Sequence, residues 1–367
     1  MRGKIILEEH FAMPEDNSAA KLKFASRNSE DLAAALLDLH GARLDEMNAN
    51  GVELAVMSQN PPGAQAIRDP KAAEEYAIRS NNYIAKLVEE NAARFAAFAA
   101  VSMHDPSNAV KELTRCVQEL RMVGVMLNDA QEYVDVDGTL KEQFYDDPKY
   151  DIFWAAAESL NIPVYLHPKT PLPAEFQRRY QKRPWLLGPT YSFSSDCGFH
   201  AMALFTSGIF DRFPKLQVIL GHMGEMILGH LGRIDHWLEK RDRGRGLPAK
   251  KTLRDYFETN ISITTAGYFC TPPLLTAITE IGVGRVLFSV DTPYENITEG
   301  ATWLDTLPMN QGDILKIGRT NALDLLPSLK KRMRSKDVED LQRDRQRVLF
   351  TTNPGFEIPG TQRLARI

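Results

Sequence analysis

Six residues in this chain come at the ends of short apolar runs and belong to types that hold metals, bind polar ligands or move protons. Glu8 and His10 follow Ile5-Ile6-Leu7, Asn128 follows Val125-Met126-Leu127, and His167 follows Val164-Tyr165-Leu166. His222 follows Leu216-Gln217-Val218-Ile219-Leu220-Gly221, and Asp291 follows Val286-Leu287-Phe288-Ser289-Val290. Five of the six can ligate a metal. Apolar runs of this length mark buried strands. Successive strand side chains point to opposite faces, so Glu8 and His10 share a face that Glu9 does not. An acid and an imidazole at the end of a buried strand cost desolvation unless something compensates them, and a divalent metal would. On Glu8-Glu9-His10 alone, a strand end with solvated charges is an equal reading. The recurrence of such residues at strand ends favours the metal, because random placement would not concentrate them there. The other histidines, His40, His104, His200, His230 and His236, are read as structural.

The elements that must position these residues alternate. Strands are expected at 5–7, 52–57, 95–102, 125–127, 164–166, 216–220, 261–264 and 286–290. Helices are expected over 32–50, from Asp69-Pro70 to about 93, and from Asp105-Pro106 to near Gly124. Others are expected after Asp147-Pro148, over 197–213 and 225–240, and twice after Asp291. The Asp-Pro pairs supply an N-cap followed by Pro at the first helical position. Loops are expected at 13–31, over the site, around Gly138, and at 169–195. Eight strands alternating with helices predict a (β/α)8 TIM barrel, whose active site lies at the C-terminal strand ends. A doubly wound open sheet fits less well, because no GxGxxG follows the first strand. The barrel domain is expected over 1–326, with a charged C-terminal extension over 327–367. Residues 330–347 read there as a solvated helix in a loose terminus, with a subunit-wrapping arm as the alternative.

Composition is that of a soluble globular protein, 43% hydrophobic and 25% charged. A formal net charge of −4 gives no nucleic-acid footprint. No apolar stretch reaches membrane-spanning length and no signal-peptide pattern opens the chain. Three widely spaced cysteines, Cys116, Cys197 and Cys270, fit reduced thiols and a cytoplasmic protein better than a disulfide framework.

Several linked motifs resemble a family. They are Gly3-Lys4 with Leu7-Glu8-Glu9-His10-Phe11, Leu166-His167-Pro168, Trp185-Leu186-Leu187-Gly188-Pro189, and Gly221-His222-Met223-Gly224-Glu225. Arg233-Ile234-Asp235-His236, Ile263-Thr264-Thr265, Phe288-Ser289-Val290-Asp291 and Ile317-Gly318-Arg319-Thr320-Asn321-Ala322 continue them. Their order and spacing resemble the metal-dependent nonoxidative decarboxylases of hydroxybenzoates in the amidohydrolase superfamily, of the γ-resorcylate (2,6-dihydroxybenzoate) type. The resemblance implies Glu8, His10, His167 and Asp291 as metal ligands. It implies His222 as an acid–base or polarising histidine supported by Glu225, and Asn128 and Arg233 as substrate-positioning residues. Histidine at position 10 goes with the γ-resorcylate-like members. Thr292 stands where Trp is common and Tyr294 where Phe is common; both are expected to line the substrate pocket. They leave open the choice among 2,6-dihydroxybenzoate, orsellinate, 2,3-dihydroxybenzoate and salicylate. Trp185 and Phe193 fit pocket or core equally, Arg233 fits a surface helix charge equally, and His222 also fits a cap in a Gly-rich turn.

The implied reaction is loss of CO2 from a small phenolic carboxylate, reversible at high bicarbonate. One divalent ion, Mn or Zn with Mg also suitable, would grip the carboxylate and the ortho oxygen. Asp291 would deliver a proton to the ring carbon. No organic cofactor is expected, and a homodimer or homotetramer is. A mononuclear metal hydrolase of a lactone or amide on the same barrel is the alternative. Glu-x-His in place of His-x-His and the absence of a lysine ending the fourth strand disfavour a binuclear hydrolase. A non-enzymatic metal-binding scaffold would be expected to have lost ligands that this chain keeps.

Overall fold

The computed structural model describes residues 1, 3–16 and 29–333. The chain divides into two compact units, Met1–Leu326 and Pro327–Ile367. Of the second unit, residues 327–333 are described and are helical. The expectations for most of 330–347, and for most of the loop 13–31, lie outside the described residues.

The described residues of the first unit form ten strands: β1 Lys4–Phe11, β2 Val52–Gln59, β3 Phe95–Ala99, β4 Gly124–Asn128, β5 Gln131–Val134, β6 Leu140–Gln143, β7 Pro163–His167, β8 Gln217–Leu220, β9 Ile261–Thr264 and β10 Val286–Leu287. Eight of them pair in the order β1-β2-β3-β4-β7-β8-β9-β10, every pair parallel. Helices separate these strands, as parallel pairing requires, giving the (β/α)8 barrel. The strands are buried along almost their whole length. That is why they read as continuous apolar runs and not as alternating ones.

The outer helices start where the Asp-Pro pairs place them. Asp69 accepts the Ala72 amide at 2.8 Å to open Pro70–Glu90, and Asp105 accepts the Ser107 amide at 2.7 Å to open Pro106–Gln118. Each turns small or apolar residues inward: Ala73, Ala77 and Ile84 from the first, Ala109, Leu113 and Cys116 from the second.

Side chains make much of the join between the two ends of the sheet. The Ser289 hydroxyl accepts the amides of Leu7 (3.1 Å) and Glu8 (2.6 Å). The Glu9 carboxylate accepts those of Val290 (3.1 Å) and Thr292 (3.0 Å). Backbone bonds Asp291 N–H to Glu8 C=O (3.0 Å) and His10 N–H to Thr292 C=O (2.7 Å) complete it. The β1–β2 register shifts between Ile6 and Glu9, where these side chains intrude. For the same reason β10 stops at Leu287, short of the expected Val290.

Other departures have local causes. The expected helix 32–50 is two, Ser29–Leu37 and Ala42–Ala49. Asp38 accepts the amides of Gly41 and Arg43 between them, and the turn lets buried Arg43 donate to the carbonyls of Ala35 and His10. The loop around Gly138 is an antiparallel hairpin, β5–β6. Its strands, Gln-Glu-Tyr-Val and Leu-Lys-Glu-Gln, are too polar to show an apolar pattern. The expected helix 197–213 begins earlier, as Ser192–Thr206, and breaks at Gly208, whose φ is 75°.

Gly124, at the start of β4, is needed for close approach. A Cβ there would lie 2.7 Å from the Phe98 ring and 2.9 Å from the carbonyl oxygen of Pro163. Gly124→Ala is expected to cost about 1–3 kcal/mol, read as a lower denaturation midpoint. An unchanged midpoint would show that the strands can separate freely at this point.

Candidate metal centre

Glu8, His10, His167 and Asp291 converge at the C-terminal ends of β1 and β7 and just beyond β10. One donor atom from each lies within 4.8 Å of all the others. His167 Nε2 is 3.0 Å from Glu8 Oε1, and His10 Nε2 is 3.1 Å from Asp291 Oδ1. His167 Nδ1 lies 2.8 Å from the Pro168 carbonyl oxygen, to which it donates, and its Nε2 is turned toward the Glu8 carboxylate. Glu8 Oε1, both ring nitrogens of His10 and Asp291 Oδ1 are buried without a hydrogen-bond partner among the described residues. Orphaned buried donor atoms of hard-oxygen and imidazole type fit a divalent metal.

The charges agree with the geometry. Burial opposes ionisation of Glu8, but His222, His167 and His10 outweigh it and hold the carboxyl well below its usual range. Burial lowers the pKa of His10, favouring the neutral ring that a ligand needs. Glu9, facing away, is pushed up to about 7 by burial, against the pull of Thr292, Arg43 and the Val290 amide.

His222 stands beside this cluster. Its Nε2 is 3.3 Å from Glu8 Oε1 and 3.8 Å from Asp291 Oδ2, and its Nδ1 is 2.7 Å from Glu225 Oε1. Burial works against a charge on His222, yet the Glu8 and Glu225 carboxylates raise its pKa well above the ordinary value. The backbone that presents it is unusual. His222, Met223, Gly224, Glu225 and Met226 have φ of 46°, 61°, 87°, 51° and 63°. These five residues make a left-handed turn where the sequence pattern predicts the start of a long right-handed helix. The regular helix begins later, at Leu231–Trp237. The turn sits against the helix Ser192–Thr206, where a Cβ on Gly198 would lie 2.6 Å from the Glu225 carbonyl oxygen.

The remaining candidates divide. Asn128 is buried beside His167 in the β4–β7 ladder; its amide donates to Pro62 O and Gln65 Oε1, and its Oδ1 has no partner among the described residues. Thr292 is buried in the seam. The Tyr294 ring lies edge-on to His10 at 5.7 Å, and its hydroxyl donates to Asn60. Phe193 is half-buried in the helix Ser192–Thr206. Trp185 is 78% exposed and Arg233 is exposed on Leu231–Trp237. Neither bonds to a member of the metal cluster among the described residues.

Tyr165, Thr264, His200 and Asp129 were given no part in the site by the sequence. The Tyr165 hydroxyl donates to Glu8 Oε2, and Thr264 Oγ1 lies 3.3 Å from the same oxygen. Tyr165 is two residues before His167 on one strand, so alternation alone puts both side chains on one face. His200, read as structural, lies with Nδ1 2.7 Å from Asp129 Oδ1, and its Nε2 accepts the Tyr145 amide. Asp129 in turn donates its amide to the His167 carbonyl. A histidine inside an ordinary helix gives no sign of such a partner.

A family model described as Amidohydrolase matches residues 28–327. The γ-resorcylate decarboxylase of Rhodococcus jostii is 42% identical over 89% of this chain and 98% of its own length. Among solved structures, 2,6-dihydroxybenzoate decarboxylase complexed with 2,6-dihydroxybenzoate superposes with a TM-score of 0.83 at 42% identity, covering 89% of this chain and 100% of that one. The dihydroxybenzoic acid decarboxylase of Polaromonas sp. JS666, with bound manganese and the inhibitor 2-nitroresorcinol, gives a TM-score of 0.83 at 40% identity, covering 89% and 97%.

Removing the Glu225 charge should let His222 lose its proton more readily. In metal-free protein, Glu225→Gln is expected to move the His222 titration to lower pH, followed by NMR of the imidazole nitrogens. A midpoint at or above that of the unaltered protein would mean that Glu225 does not hold the charge.

Proposed function

This chain belongs to the amidohydrolase family, and we propose that it is a metal-dependent nonoxidative decarboxylase of an ortho-hydroxybenzoate, with 2,6-dihydroxybenzoate the first substrate to test. The observation that carries this reading is the four-donor cluster Glu8, His10, His167 and Asp291, with His222 against it, in a chain so similar to γ-resorcylate decarboxylases. The hydrolase alternative has no such support, because curated relatives 40–43% identical over nearly their whole length are γ-resorcylate decarboxylases. Manganese is the metal proposed, on the strength of the Polaromonas relative; zinc and magnesium are the other ions to assay.

The ion, held by Glu8, His10, His167 and Asp291, would supply Lewis acidity and a template for the substrate carboxylate and ortho oxygen. The protein's own part is proton management. His222, cationic between Glu225 and Glu8, is the reservoir. Its Nε2 faces Asp291 Oδ2, so Asp291 can be recharged after each turnover. Asp291 gives its proton to the ring carbon that bears the carboxylate. The carbon–carbon bond then breaks, CO2 leaves, and its electron pair restores the aromatic ring. Asn128, Thr292 and Tyr294, buried or nearly so beside the ligands, would hold the ring. Arg233 is assigned to substrate contact by resemblance alone, and Trp185 and Phe193 only as aromatics of the segment 169–195.

A homo-oligomer and a cytoplasmic setting belong to the same reading. Exposed Trp185, Leu186, Tyr191 and Phe199 supply apolar surface that a second copy could cover. The three free cysteines suit a reducing compartment. No helix among the described residues is long and apolar enough to cross a membrane.

Manganese-loaded protein is expected to release CO2 from 2,6-dihydroxybenzoate, leaving resorcinol, and to run slowly backwards at high bicarbonate. Hydrolysis of a lactone panel without CO2 release would overturn the proposal. Asp291→Asn should lower kcat by about 10^2–10^4-fold with the fold intact. Metal content must be measured alongside. A variant that keeps manganese and most of its activity would shift the donor role to His222.

A further inference from the structure

Glu8 offers the cluster only one of its two oxygens. Oε2 accepts a hydrogen bond from the Tyr165 hydroxyl, with Thr264 Oγ1 at 3.3 Å from it and 2.8 Å from the Tyr165 oxygen. All three side chains are fully buried. The backbone at Gly221 passes close to this group: a Cβ there would lie 2.9 Å from Glu8 Oε2 and 3.1 Å from the Tyr165 hydroxyl. Oε1, by contrast, has no hydrogen-bond partner among the described residues and points at His167 Nε2 and His222 Nε2.

We propose that Tyr165, helped by Thr264, is a positioning residue that confines Glu8 to a one-oxygen bond with the metal and so keeps a coordination position open for the substrate. The inference rests on the metal-site reading given above. Manganese in an oxygen-rich site prefers roughly six ligands in octahedral array. Four protein residues, if each gives one atom, then leave about two positions, the number needed by a ligand that binds through a carboxylate and an ortho oxygen. A carboxylate that chelates through both oxygens would take one of them. The phenol of Tyr165 prevents this by giving Oε2 a better use. If that oxygen left, a buried hydroxyl would lose its carboxylate partner.

Tyr165→Phe is the informative variant, because the ring that packs 6.0 Å from Phe98 is retained and only the hydroxyl goes. Thr264→Val removes the other donor to the same oxygen. The unaltered protein is stripped and reloaded first. It should hold one manganese per chain, lost in Glu8→Gln. Failure at this stage sinks the metal-site reading itself. The crystal structure of the loaded protein should then show Glu8 bound through Oε1 with Oε2 still on Tyr165. Tyr165→Phe should keep manganese, bind it through both Glu8 oxygens, change the Mn(II) EPR spectrum, and bind 2-nitroresorcinol about 10-fold or more weakly. Chelation by both oxygens in the unaltered protein would overturn the proposal. So would a folded Tyr165→Phe protein with the original spectrum and inhibitor affinity. One that folds but no longer holds manganese also counts against it, since the hydroxyl would then serve affinity and not ligand number. Should Tyr165→Phe fail to fold, the crystal structure of the loaded unaltered protein decides: Glu8 bound through Oε1 with Oε2 on Tyr165 supports the proposal, and chelation by both oxygens overturns it.

Discussion

A barrel of parallel strands must join its last strand to its first, and here that join falls among the clustered donors Glu8, His10 and Asp291. β10 leaves the ladder after Leu287. From there the Glu9 carboxylate grips the amides on either side of Asp291, while the Ser289 hydroxyl takes those of Leu7 and Glu8. Asp291 is held with φ of 79°, a region that few non-glycine residues adopt. The position of Asp291 relative to Glu8 and His10 is therefore set by the same bonds that close the sheet. An acid on the outward face of β1 fixes the geometry of an acid and an imidazole on its inward face.

The supports around the cluster repeat this pattern. Arg43 donates to the His10 carbonyl, the Asp129 amide to the His167 carbonyl, and Tyr165 to Glu8. Each member is held through backbone or through an atom that it does not turn toward the others. The inward atoms of Glu8, His10 and Asp291 are left buried without a hydrogen-bond partner among the described residues, which is costly unless a cation occupies the centre. A cation bound at the centre would therefore add to the stability of the fold. Neighbouring groups that orient the ligands in this way make such a site selective in geometry.

The barrel was legible in the sequence because its strands are buried on both faces and carry their apolar character in consecutive residues. The ends of those strands were legible too: Glu8, His10, His167 and Asp291 each stop an apolar run, and the fold brings the four together. What the sequence hid follows from other physics. The polar hairpin β5–β6 is tied down by Lys169, which pairs with Glu132 and Glu142, and charge pairing of this kind has no periodicity. The break between Ser29–Leu37 and Ala42–Ala49 depends on Asp38 turning back on its own chain. Tyr165 looked like one more large residue in a strand, because its partner oxygen is 157 positions away in the chain.

The left-handed turn at residues 222–226 bears on what heat would do first. Left-handed backbone costs a residue with a side chain roughly 1–2 kcal/mol, and four of these five residues carry one. The surrounding barrel holds the turn in place, yet the turn is the part of the site with most to gain by relaxing. His222 would then swing away from Glu8 and Asp291 while the strands remained paired. On warming, loss of function would precede unfolding, and the two temperatures would measure different things: one the strain in a five-residue turn, the other the cohesion of the barrel.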